Sequence, residues 1–172
     1  MPWSLIVRAK RKPSFAAVLS QTSSVLSELL NLNAVPRLEA ELPPARMGST
    51  LDGKLIDRDF PGAYVRLVGI ERSMASFLVF DSPVQGSGER LLLSCGADGR
   101  SAASDVLAAS LAISASQLVE GVIDDAAHYW LAKDEYDPEE LLKHLRLEED
   151  QRGFTTAVEI VRSRMAQASE HA

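Results

Sequence analysis

From Phe15 onward, apolar residues recur every three or four positions: Phe15, Val18, Leu19, Val25, Leu26, Leu29 and Leu30, with Thr22 filling the gap in the stripe. This period puts them on one face of a helix, while Ser20, Gln21, Ser23, Ser24 and Ser27 fall on the other. Ser14 stands just before the stripe, where a hydroxyl can accept a hydrogen bond from a free first-turn amide. A helix over residues 14–32 is predicted, lying on a surface. Ahead of it, Leu5 to Ala9 reads as a short strand that ends in a basic turn and Pro13.

The pattern changes between residues 33 and 62. Pro36, Pro43, Pro44, Pro61, Gly48, Gly53 and Gly62 punctuate this stretch and leave room for one edge strand over Arg37 to Leu42. Leu51 to Leu55 reads as a turn between two extended arms. A connection this long inside one domain often carries function. Three strand-like runs follow, Tyr64 to Ile70, Ala75 to Asp81 and Arg90 to Cys95, rich in Val and aromatic residues. Short separators make an antiparallel meander the natural arrangement.

A second helix is predicted over residues 101–120, with Gly121 as its stop. Val106, Leu107, Leu111, Ile113, Leu118 and Val119 are interleaved with alanines and serines around most of its circumference. So little charge implies burial, and the small residues allow close approach to a sheet. Val122 and Ile123 restart an extended segment. Asp137, Pro138 and Glu140 then form a helix start, with Leu141, Leu142 and Leu145 as its apolar face. After Gly153, the residues Phe154, Ala157, Val158, Val161 and Met165 define a last amphipathic helix, with fraying expected over 166–172.

The whole of 1–172 therefore reads as one α+β domain. Its sheet is expected to be mainly antiparallel, of four to six strands, with helices 14–32 and 101–120 both packed on it and smaller helices at the C-terminal end. Hydrophobic residues at 46% and charged residues at 24% are ordinary for a chain that buries a core. The amino-terminal residues lack the pattern of a secretory signal, and no uninterrupted apolar run has the length of a membrane span. Cys95 is the one cysteine, so no disulfide forms within the chain, and its place at the end of Leu91 to Leu93 marks it as a small core residue. A cytoplasmic setting is the expectation.

Charge alters the picture most between residues 120 and 150. This segment holds eleven acidic residues against Lys133, Lys143 and Arg146, a net of −8, whereas the whole chain carries −6. The remainder is thus slightly basic, at +2. A one-sided field of this kind governs partners and association rates rather than fold. It excludes wrapping of a nucleic-acid backbone, which needs clustered cations. Asp124, Asp125 and His128 supply oxygen and imidazole donors, but their spacing matches no metal motif, and a strand ending at Asp124 would turn the two carboxylates to opposite faces. Tyr129 and Trp130 follow, either as a binding anchor or as the closing edge of the core. The turn from Cys95 to Ser101 lacks both phosphate-loop glycine patterns. No nucleophile–base constellation is recognisable, so neither catalytic residues nor a cofactor are expected.

The run LLLSCGADGRSAASDVLAASLAISASQLVEGVIDDAAHYW, with the order strand, helix, meander, small-residue helix, strand and acidic helices, resembles bacterial immunity proteins of polymorphic and secreted toxin systems. The resemblance implies a small, cofactor-free protein that blocks a basic toxin domain. Electrostatic complementarity would speed that capture. On this reading the partner-binding residues are Asp124, Asp125, Tyr129, Trp130, Asp134, Glu135, Glu139 and Glu140, the partner is a protein, and neither nucleic acid nor a membrane is involved. The oligomeric state is left open. A small enzyme would instead need a pocket with perturbed titratable groups, and an adaptor an exposed apolar groove. An acidic patch that serves solubility alone also fits the composition.

Overall fold

The first strand sets the frame for everything that follows. In the computed structural model, which describes residues 3–82, 91–125, 131, 133–149 and 153–170 (side chains of 45 and 166–170 excepted), Ser4–Ala9 forms β1. Leu5, Val7 and Ala9 are buried, whereas Ser4, Ile6 and Arg8 are half-buried. Such alternation means that one face of the sheet is fully packed and the other is only partly covered. The remaining elements are α1 (Phe15–Leu30), β2 (Leu38–Glu41), β3 (Ala63–Leu67), β4 (Ala75–Asp81) and β5 (Leu91–Ala97). Then come α2 (Ala102–Val119), β6 (Val122–Asp124), β7 (Glu135–Tyr136), α3 (Pro138–Leu145) and α4 (Phe154–Glu170).

The strands form one antiparallel sheet in the order β2-β3-β4-β5-β1-β6-β7, so the fold is α+β with seven strands rather than four to six. The unforeseen member is β7. Two residues are too few to show alternation, and β7 exists because Tyr136 pairs with Ile123 and Glu135 with Asp124. Both sheet edges are short. β2 carries Glu39 and Glu41 and is followed by Pro43, while β7 is followed by Pro138. Charge and proline at these edges discourage addition of a further strand.

The helix α2 is the centre of the core. Ser101 caps it through a reciprocal pair of hydrogen bonds with Ser104, and nearly every residue from Ala103 to Ser116 is buried. Its serines do not stay unsatisfied there: the Ser110 and Ser114 hydroxyls donate to the Val106 and Ser110 carbonyls at 2.8 and 2.6 Å. One side lies on β4, β5, β1 and β6, and α1, α3 and α4 pack around the rest. By length and composition this helix is apolar enough to cross a membrane, although serines, Asp105 and Gln117 interrupt its apolar residues, and 83% of that stretch is buried inside the fold.

α1 departs from expectation too. Its stripe packs on α2 rather than on the sheet, and it is Phe15, at its first turn, that reaches β4. The irregular region 33–62 is also more deeply embedded than its prolines and glycines imply. Ile56 and Phe60 are buried, and Phe15, Phe60 and Phe77 pack their rings at centroid separations of 5.2 to 6.1 Å. Backbone bonds from Phe15 to Lys54 and from Ile56 to Pro13 stitch this region to the start of α1.

Gly121 has a different task from the predicted one. The left-handed cap of α2 is Glu120, at φ 52°, and a Cβ on Gly121 would lie 2.5 Å from the Arg8 carbonyl oxygen. Glycine is required there because the chain passes directly against β1. At the far end, α4 stays helical through the stretch expected to fray, as far as Glu170.

Candidate functional site

Six of the eight predicted partner-binding residues lie within the described structure; Tyr129 and Trp130, with His128, fall outside the described residues. Asp124 closes β6 on the open face of the sheet, beside Ile6 on one side and Glu135 on the other. Glu135 is exposed and bonds Arg8 at 2.5 Å across β6. Asp134 is exposed as well, and its carbonyl accepts the Asp125 amide at 2.8 Å. Asp137 caps α3 by accepting the Glu139 amide at 2.9 Å, which sets Glu139 and Glu140 outward in the first turn. Glu139 accepts a bond from Gln117 at 2.7 Å, and Glu140 is paired with Lys133. That bond to Glu140 favours the charged ammonium and raises the Lys133 pKa above the ordinary lysine value.

Asp125 is the exception. It is 1% exposed, and its Oδ2 accepts the Leu131 amide at 2.8 Å. The strand ends at Asp124, so the next carboxylate turns inward and organises the path toward β7. Asp125 therefore shapes the acidic edge without presenting charge on it.

What the sequence pattern did not reveal is the open face itself. The registers place Leu78, Phe80, Leu92, Ile6 and Val122 on the side of the sheet away from the helices. Phe80 is 50% exposed and the other four are half-buried. Small residues surround this ridge: Ser76 pairs with Gly96, which pairs with Ser4. Carboxylates stand at both margins, Glu39 and Glu41 on β2 and Asp124 and Glu135 toward β7. At the β2 margin Arg66 bonds Glu39 and Glu41 at 3.1 and 3.0 Å. The acidic segment and the apolar face thus meet at β6 and β7.

Reactive chemistry is sparse elsewhere. Among the described residues no group of three His, Cys, Asp or Glu is placed to hold a metal ion. A cleft of about 430 Å³ between the start of α1 and the 40–52 stretch is lined by Phe15, Leu19, Leu42 and Thr50, with Asp52 as its one ionisable group. Asp105, which the sequence reading passed over, is a buried anchor: its carboxylate accepts from Trp3 Nε1 at 2.9 Å and Arg162 Nε at 3.1 Å. It ties α4 and the residue preceding β1 to the first turn of α2, and only its isolation within an apolar helix hinted at this role.

Cys95 is fully buried on the helix-facing side, and burial pushes its thiol pKa far up. The thiol therefore stays protonated through neutral and mildly alkaline pH. A disulfide reagent at pH 8 is expected to leave native protein unmodified over minutes and to titrate one thiol at once in denaturant. Rapid stoichiometric reaction of the native state would contradict the burial. Comparison of the chain with known family models, with curated proteins and with solved structures finds no match.

Proposed function

We propose that this chain binds and neutralises a cationic toxin domain, acting as an immunity-type protein. The observation that carries this reading is the outward presentation of charge around β7 and α3. Five carboxylates and one lysine lie within the eight residues 133–140, all of the charged ones exposed, and Asp124 adds a sixth carboxylate beside them. Potentials of this sign attract basic proteins and raise their association rate. Speed matters to a neutralising partner, because an uncaptured toxin acts on its own cell.

Co-expression with toxin domains encoded beside its gene tests the proposal. Survival of cells that otherwise die, together with co-purification of a stoichiometric complex, is the expected result. Killing that proceeds unchanged, with no complex recovered, would remove the immunity reading.

A further inference from the structure

The edge strand β2 turns main-chain groups outward beside the cleft at the start of α1. β2 pairs with β3 alone, and in the same register the Val68 amide donates to the Arg37 carbonyl at 2.9 Å. Hydrogen-bonded pairs alternate along an antiparallel ladder, so Glu39 and Glu41 face β3. Leu38 and Ala40 therefore point their N–H and C=O groups away from it. Leu67, opposite Leu38, fits this phase: its amide donates to Ser73 Oγ on the far side of β3, at 3.0 Å. Among the described residues the outward groups of Leu38 and Ala40 have no hydrogen-bond partner.

The cleft lies where the helix layer runs out. Ala40 stands opposite the buried Val65, so its side chain belongs to the helix side of the sheet, yet it is exposed. α1 packs on α2 and leaves a gap toward β2 of about 430 Å³, within the range of about 300–1,000 Å³ for binding pockets. Ala16, Ser49, Thr50 and Asp52 on its walls are exposed as well, so the chain leaves the gap uncovered. The far wall is held in place. Lys54 donates its amide to the Leu51 carbonyl at 3.1 Å and accepts the Phe15 amide at 3.0 Å, while Thr50 Oγ1 accepts the Asp52 amide at 3.2 Å.

We infer that this cleft receives a short extended segment of another protein, which adds to β2 as a further strand. Alternate side chains of the segment enter the cleft against Phe15 and Leu19, and a Lys or Arg on it pairs with Asp52. The backbone selects a peptide: outward donors and acceptors two residues apart, about 7 Å, match the repeat of another strand. Charge selects a basic one, because Asp52 is the only ionisable group in the lining and forms no ion pair among the described residues. Glu39 and Glu41 point to the opposite face, where Arg37 and Arg66 engage them. They discourage pairing with β2 of a second copy, which would set like charges side by side, whereas a segment bearing Lys or Arg meets no such repulsion. Pro43 ends the strand and keeps the added segment short.

The probes are fluorescein-labelled hexapeptides, capped at both ends, in which Val alternates with Thr and one Thr is replaced by Lys or by Glu. Fluorescence anisotropy reads binding to wild type, Ala40→Pro, Ala16→Trp and Asp52→Lys. Proline at position 40 removes an outward N–H that the ladder with β3 does not use, and tryptophan at exposed position 16 fills the cleft, so thermal melts should show all variants folded. Saturable binding of the lysine peptide is expected, weakened at least tenfold by Ala40→Pro and by Ala16→Trp. Asp52→Lys should reverse the preference for the lysine over the glutamate peptide. Backbone N-methylation of one alternate set of peptide residues should abolish binding, and of the other set should be tolerated, as only a strand requires. No saturable binding by wild type up to 1 mM (roughly −4 kcal/mol) would overturn the site. Binding indifferent to N-methylation and to Ala40→Pro would overturn strand addition, and equal binding of the two peptides would overturn the basic occupant. No toxin enters this experiment, so its outcome is independent of the neutralisation reading.

Discussion

Replacing Leu111 with aspartate is expected to remove the cooperative fold. Leu111 is fully buried in α2, the helix that touches both the sheet and the other three helices. A carboxylate there has no described cation to pair with in an apolar layer, and stranding an unpaired charge costs on the order of several kcal/mol. Domains of this size are stable by only about 5–15 kcal/mol. At roughly 2–4 °C of melting temperature per kcal/mol for such a chain, a drop of more than about 10 °C or outright loss of the transition follows. Leu111→Met preserves volume and polarity and should cost less than about 1.5 kcal/mol. Thermal melts of both variants give the answer, and an unchanged melt for Leu111→Asp would overturn the placement of α2.

That α2 is buried was legible because charge is nearly absent from its circumference, which is a statement about composition. Where the sheet lies relative to each helix was not legible, because periodicity says which face of α1 is apolar and nothing about what covers it. Ile56 and Phe60 were hidden for a related reason: isolated apolar residues among prolines and glycines show no period, yet tertiary packing pulls them against Phe15 and Phe77. β7 is held entirely by its neighbour, so its residues looked like part of a charged loop.

The candidate site was legible in part. The density of carboxylates between residues 120 and 150 can be read straight off the chain, and the caps that turn Glu139 and Glu140 outward follow from Asp137 and Pro138. The inward turn of Asp125 depended on where β6 stopped, a boundary that local patterning locates poorly. The open face depended on the order of seven strands. Leu78, Phe80 and Leu92 sit in apolar runs that look like core, since a strand with residues on both sides of a sheet does not reveal that, among the described residues, no helix packs on one of those sides.

Reversing Asp134, Glu135, Glu139 and Glu140 to lysine together is expected to slow capture of a basic toxin domain by about 10- to 100-fold at low ionic strength. The four changes move the chain from −6 to +2 and the 120–150 segment from −8 to neutral. All four side chains are exposed. The bonds lost, to Arg8, Gln117 and Lys133, are surface pairs of the sort that contribute little to stability, so the fold should survive. Dissociation should change far less than association, because long-range attraction acts before contact and apolar anchoring acts after it. The dependence of the association rate on salt should flatten in the variant, since the field that salt screens over about 10 Å at 0.1 M has been removed. Stopped-flow mixing across ionic strengths measures both quantities. An association rate equal to that of wild type at low salt would show that the acidic segment does not steer the partner, and would leave solubility as its physical role.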